Sequence, residues 1–168
     1  AIDGSIAYTA GLVHDIGKIV IGHFLDAETR ARVQALVETS GGSLVAAEKE
    51  VIGCDHAEIG ACLLRQWHIP EVIADAVADH HDPPLEKGPR LSAVVHIADV
   101  VAHQTGLSPG WGSFAVTAHA AAFAALNLNN KDLNTLTFAA VDAAEKAARP
   151  ELTVETELSA AAIAAYAF

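Results

Sequence analysis

The chain has 168 residues, 52% of them hydrophobic and 18% charged, with a formal net charge of −11. Length and apolar content suit one domain with its own core, whereas ten Lys and Arg residues do not supply the clustered cations that duplex nucleic acid or an anionic membrane surface requires. No apolar run reaches the ~18 residues of a membrane span and no charged-then-apolar leader opens the chain, so a cytoplasmic location is expected.

Alanine dominates the apolar residues while aromatics make up only 5%. Small side chains let helix axes approach closely, and the expected fold class is all-α, a compact multi-helix bundle. Ile6, Ala10, Val13 and Gly17 recur at the helical period, and Gly17 with Gly22 predicts a break soon afterwards, which leaves His14 and Asp15 near a helix end. A second helix is predicted over Glu28 to Glu38, closed by Ser40-Gly41-Gly42, and a third from Ser43 to about Ile52, ended by Gly53.

Asp55 followed by Glu58 reads as an N-cap with its reciprocal glutamate, opening a helix that carries Ala61, Leu64 and Trp67 inward and puts His56 in the first turn. Pro70 opens the next helix, which runs to His80, and Asp82-Pro83-Pro84 forces an exit. Leu91, Val94, Val95, Ala98 and Val101 define a further helix with a polar stripe of Ser92, His96, Asp99 and His103 beside them. After a loop from Gly106 to Gly112 come an alanine-rich helix to about Leu126, a capping region at Asn129-Asn130, and a helix from about Lys131 to Ala148 that Pro150 stops. The tail from Glu151 to Phe168 keeps helical periodicity around Leu158, Ile163 and Tyr166. Cys54 and Cys62 lack the spacing of a zinc site and are expected to be buried thiols.

The chemistry concentrates in His14-Asp15-Ile16-Gly17-Lys18. Imidazole and carboxylate donors suit divalent iron, manganese or zinc, and an ammonium within one turn can neutralise a phosphoryl oxygen. Neighbours on a helix point about 100° apart, so His14 and Asp15 can serve one ion only from a helix terminus or between helices. Further along stand His56 in Asp55-His56-Ala57-Glu58-Ile59-Gly60, then His80-His81, then Asp99 in Val95-His96-Ile97-Ala98-Asp99.

HDIGK, HAEIG, HH and HIAD in this order resemble the HD-domain superfamily of metal-dependent phosphohydrolases, most closely its HDOD branch of bacterial signalling output domains, over roughly residues 5 to 148. The resemblance implies that His14, Asp15 and Asp99 hold one divalent ion, that Asp15 bridges to a second ion held by His56, His80 and His81, and that Asp15 and Lys18 take the catalytic roles. The centre would be mono- or dinuclear. His96 and His103 are expected to support Asp99 or to be satisfied core groups, and His23, His68 and His119 to be structural or on the surface.

Two departures shape the functional expectation. The superfamily's first ligand is a histidine on a helix before the HD pair, and none of the thirteen residues before His14 is histidine. With no methionine in the chain either, the N-terminal helices of the HD-like domain (residues 1–150) are expected to be missing, leaving 151–168 as a tail of unassigned role. The branch that cleaves cyclic di-GMP follows its HH with a GYP segment, where this chain reads His80-His81-Asp82-Pro83-Pro84. The expected function is therefore a regulatory output domain acting through signalling proteins. The alternative is a phosphodiesterase or nucleotide phosphatase that activates water on the metal and binds a phosphate ester or nucleotide.

Overall fold

Helix caps divide this chain. The computed structural model describes residues 2–39, 42–84, 90–106 and 118–148, and among them every regular element is an α-helix. Asp3 caps α1 (Gly4–Val13) by accepting from the backbone N–H of Ser5 and Ile6, and α2 (Ile16–Phe24) follows after only His14 and Asp15. The break thus falls on the HD pair and not at Gly17 to Gly22, through which α2 runs. A β-carbon on Gly17 would lie 1.9 Å from the carbonyl oxygen of His56 and 2.9 Å from the amide nitrogen of Gly60. Glycine is there so that α2 can touch the backbone of α5, a close approach and not a turn.

Helices α3 (Ala27–Thr39) and α4 (Leu44–Ile52) form a hairpin closed by Ser43, whose hydroxyl accepts from Ala46, and α4 ends at Gly53 with φ of 82°. Asp55 and Glu58 exchange side-chain-to-backbone bonds at the start of α5 (His56–Gln66), the reciprocal cap the spacing predicts. Ala61 and Leu64 turn inward, but Trp67 is 57% exposed: α5 stops there and the chain reverses through His68 at φ 57°. Pro70 precedes α6 (Glu71–Ala78), which ends before His80. Then come α7 (Arg90–Gln104), α8 (Ala120–Leu126) and α9 (Asn130–Ala147), the last capped reciprocally by Asn129 and Asp132.

Ala10, Leu64, Ile73, Ala74, Ala76, Val77, Leu91 and Val95 join α1, α5, α6 and the start of α7 in one core. Ala93, Ile97, Val100 and Val101 on the other side of α7 pack against Ala122 and Leu133 of α8 and α9. Val33, Val37 and Ala47 close the α3–α4 hairpin. No helix among the described residues is long and apolar enough to cross a membrane. Both cysteines are free, but Cys54 is half-buried and Cys62 exposed, against the expected burial: Cys62 lies on the outward side of α5. The turn at Ser40-Gly41, most of the loop from Gly106 to Gly112, Pro150 and the tail lie outside the described residues.

Candidate metal centre

Five helix segments deliver the polar cluster. His14 is the C-cap of α1 and Asp15 the N-cap of α2, where its carboxylate makes no capping bond and is left for the interior. His56 opens α5, His80 and His81 follow α6, and Asp99 comes from the middle of α7. The Gly17 and Gly60 contact draws α2 against α5 and so sets Asp15 beside His56.

Three rings have their Nδ1 committed. His14 Nδ1 donates to the Gly11 carbonyl at 2.7 Å and His80 Nδ1 to the Val77 carbonyl at 2.7 Å, while His56 Nδ1 lies 2.6 Å from Glu48 Oε2. In each, Nε2 keeps the lone pair and points at the cluster. His14 Nε2 is 3.5 Å from both Asp15 Oδ2 and Asp99 Oδ1, and Asp15 Oδ1 is 3.4 Å from His56 Nε2 and 3.9 Å from His80 Nε2. His81 Nε2 meets His56 Nε2 at 2.7 Å, where the His56 lone pair can accept its proton.

The buried atoms His14 Nε2, Asp15 Oδ1 and His80 Nε2 have no hydrogen-bond partner. Buried polar groups are normally satisfied, and each exception costs about 1–3 kcal/mol. Three converging exceptions, all good ligand atoms, fit a divalent cation of the iron, manganese or zinc type. His14, Asp15 and His80 offer donors mutually within 4.8 Å, as do His56, His80 and His81. Every residue expected at the centre is therefore drawn into one cluster, Asp99 entering through His14.

The surroundings were partly foreseen. His96 Nδ1 donates to the His80 carbonyl at 2.8 Å and its Nε2 accepts from the His119 amide at 3.0 Å, which makes it a satisfied core group holding the His80 segment. His103 Nε2 is 3.4 Å from Asp99 Oδ1. Lys18 Nζ donates to Asp15 Oδ2 at 2.6 Å, so the outer oxygen of Asp15 faces an ammonium and the inner one is buried. His23 and His68 are exposed and apart from the cluster. The sequence reading passed over Glu48, which is 2% exposed. Its signal was a carboxylate within the apolar stripe Leu44, Ala47 and Val51 of α4.

Charge states follow from this packing. Burial would raise the Asp15 carboxyl, but His14, Lys18 and His56 outweigh it and hold it at about 2; the imidazoles of His103 and His14 beside Asp99 likewise overcome its burial and hold it well below the usual range. Burial, with the neighbouring histidines, pushes His80 down to about 4 and His81 to about 2. His14 moves the other way, because Asp99 and Asp15 more than offset its burial.

For metal-free protein the signs give a definite pH response. Below about pH 6.5 the unfolded chain protonates His80 and His81 while the folded one does not, so stability falls toward pH 4, by up to about 1.4 kcal/mol per pH unit for each. His14 opposes this with one contribution, full below about pH 6.5 and lost as the pH rises. Urea midpoints measured in chelator should therefore drop between pH 7 and pH 5, and further below pH 4 as Asp15 and Asp99 take up protons. A midpoint that rose on acidification would contradict these environments.

An all-α protein with a buried histidine and carboxylate cluster at converging helix ends is what the HD-type resemblance implies, and the family comparison agrees. Residues 2–83 match the HDOD domain family, with His14, Asp15, His56, His80 and His81 inside the matched segment and Asp99 beyond it. Curated relatives named Ribonuclease Y share the region: the protein of Thermus thermophilus is 34% identical over 82 residues, covering 49% of this chain and 9% of the relative. Those of Lactobacillus gasseri and Deinococcus radiodurans are each 32% identical, over 62% and 60% of this chain and 13% and 12% of their own lengths. The chain thus spans about a tenth of these relatives. No solved structure matches it significantly.

Proposed function

We propose that this domain is a metal-dependent phosphohydrolase built on the HDOD framework, with phosphodiesters as its substrate class. The observation that carries the reading is the set of three buried, unpartnered ligand atoms on His14, Asp15 and His80. A scaffold that worked only by protein contact would gain nothing from leaving them unsatisfied. His14, Asp15 and Asp99 would hold one ion and His56, His80 and His81 a second, with Asp15 between the sets. When bound, divalent metal supplies Lewis acidity and lowers the pKa of water toward neutrality. The chain's residues fix the donors, exclude solvent from Asp15 Oδ1 and place the Lys18 ammonium, one quarter exposed, where it can meet a phosphate oxygen. Ribonuclease Y, as the name of relatives that share this region, supports phosphodiester substrates, RNA among them.

A second reading is an HDOD output module that acts on signalling proteins without turnover. It is favoured by the family match and by the commitment of Lys18 to Asp15 at 2.6 Å. The two readings separate in one experiment. Protein purified without chelator is analysed for metal by plasma mass spectrometry and assayed on a chromogenic phosphodiester and a single-stranded RNA, beside His14→Ala and Asp99→Ala. Hydrolase chemistry requires near-stoichiometric metal that both variants lose, and activity that falls by more than about 100-fold, beyond what loss of a mere supporting residue does. Metal binding without hydrolysis would transfer the assignment to the output module, and folded wild-type protein that takes up no metal would overturn the centre.

A further inference from the structure

Glu48 is a carboxylate in an apolar place. It stands on α4 beside Ala47, in the stripe that packs Leu44 and Val51 against Val33 and Val37, and is 2% exposed. A buried carboxylate is costly unless it is paired and hydrogen-bonded. Both of its recorded bonds go to one residue: Oε2 accepts from the His56 backbone N–H at 2.9 Å and from His56 Nδ1 at 2.6 Å. One oxygen thereby clamps the imidazole to its own backbone at the first turn of α5, where amides have no partner within the helix.

The rings of His14 and His80 are oriented differently, each giving its Nδ1 proton to a neutral backbone carbonyl, of Gly11 and of Val77. Among these three donors only His56 is backed by a charge. A carboxylate behind an imidazole fixes the tautomer with the lone pair on Nε2 and makes that nitrogen a stronger donor. His56 Nε2 is the atom that faces Asp15 Oδ1 at 3.4 Å and His81 Nε2 at 2.7 Å. Packing alone would be met by an apolar side chain, and hydrogen bonding alone by glutamine.

We propose that Glu48 is the positioning residue of the metal centre, acting through His56 to fix the Nδ1–H tautomer and hold the Nε2 lone pair toward the cluster. This deepens the metal-centre reading above and rests on it. Glu48→Gln keeps an accepting oxygen and removes only the charge, whereas Glu48→Ala removes both. Isothermal titration with Mn²⁺ and Zn²⁺ should show affinity about 10-fold weaker in Glu48→Gln and about 100-fold weaker in Glu48→Ala, the range for residues that support a ligand. Nitrogen NMR of the metal-free proteins should report the Nδ1–H tautomer of His56 in wild type and Glu48→Gln, and a tautomer mixture in Glu48→Ala. Unchanged affinity in both variants, or an unchanged tautomer in Glu48→Ala, overturns the assignment. Wild-type protein that binds neither ion overturns the metal-centre reading instead, and the tautomer comparison then decides by itself whether Glu48 orients His56.

Discussion

Gly17→Ala is expected to disrupt the domain more than alanine at any other described glycine. The new carbon would sit 1.9 Å from the His56 carbonyl oxygen, 2.8 Å from the carbonyl carbon and 2.9 Å from the Gly60 amide nitrogen. All three are backbone atoms, which no rotamer change can move aside, so α2 must retreat from α5. Overpacking of a well-packed contact costs about 1–3 kcal/mol where side chains can adjust, and more is expected here. Asp15 rides on α2 and His56 on α5, so the same retreat separates Asp15 Oδ1 from His56 Nε2, now 3.4 Å apart. Thermal melts should show a large fall in midpoint together with loss of metal binding. Gly22→Ala is the control, because a β-carbon there meets nothing within 4 Å and alanine is the better helix former. Equal stability of Gly17→Ala and wild type would show that α2 and α5 do not touch as described.

The second large effect is stabilisation by the ion itself. Without metal, His14 Nε2, Asp15 Oδ1 and His80 Nε2 are buried with nothing to bind. A cation that binds only the folded chain stabilises it by about 4 kcal/mol at a thousand times its dissociation constant. For a domain of this size that is about 10 °C in melting temperature. Scanning calorimetry of chelator-treated protein with added Mn²⁺ or Zn²⁺ should show such a rise. Asp15→Asn should abolish it, because the amide replaces the carboxylate that faces His56 Nε2 and His80 Nε2 while leaving its volume unchanged. A rise that survives in Asp15→Asn would mean that the ion binds elsewhere, and no rise in wild type would leave the three atoms without an explanation in metal chemistry.

Much of this architecture could be read from short-range signals. Asp55 with Glu58, Ser43, Gly53 and Asn129 each act within one helical turn, and all define helix ends where their spacing says they should. The candidate donors were also legible, since imidazole and carboxylate pairs at helix ends are unusual enough to notice. What escaped depends on partners distant in sequence. Gly17 looks like a break until Gly60 and His56 are placed against it. Trp67 fits the inward phase of α5, yet that helix ends under it. Glu48 looks like a solvated charge between Ala47 and Lys49, and only the fold shows that His56 lies above it.

The junction between α1 and α2 also bears on how the protein is assembled. His14 and Asp15 meet His56, His80, His81 and Asp99 only after the intervening chain has folded back on itself, so no local peptide contains a usable set of donors. Closing such long segments is an entropic cost met by the apolar helix contacts, not by the ligands. The donor cluster therefore exists only in the docked fold, and the unfolded chain offers scattered histidines in its place.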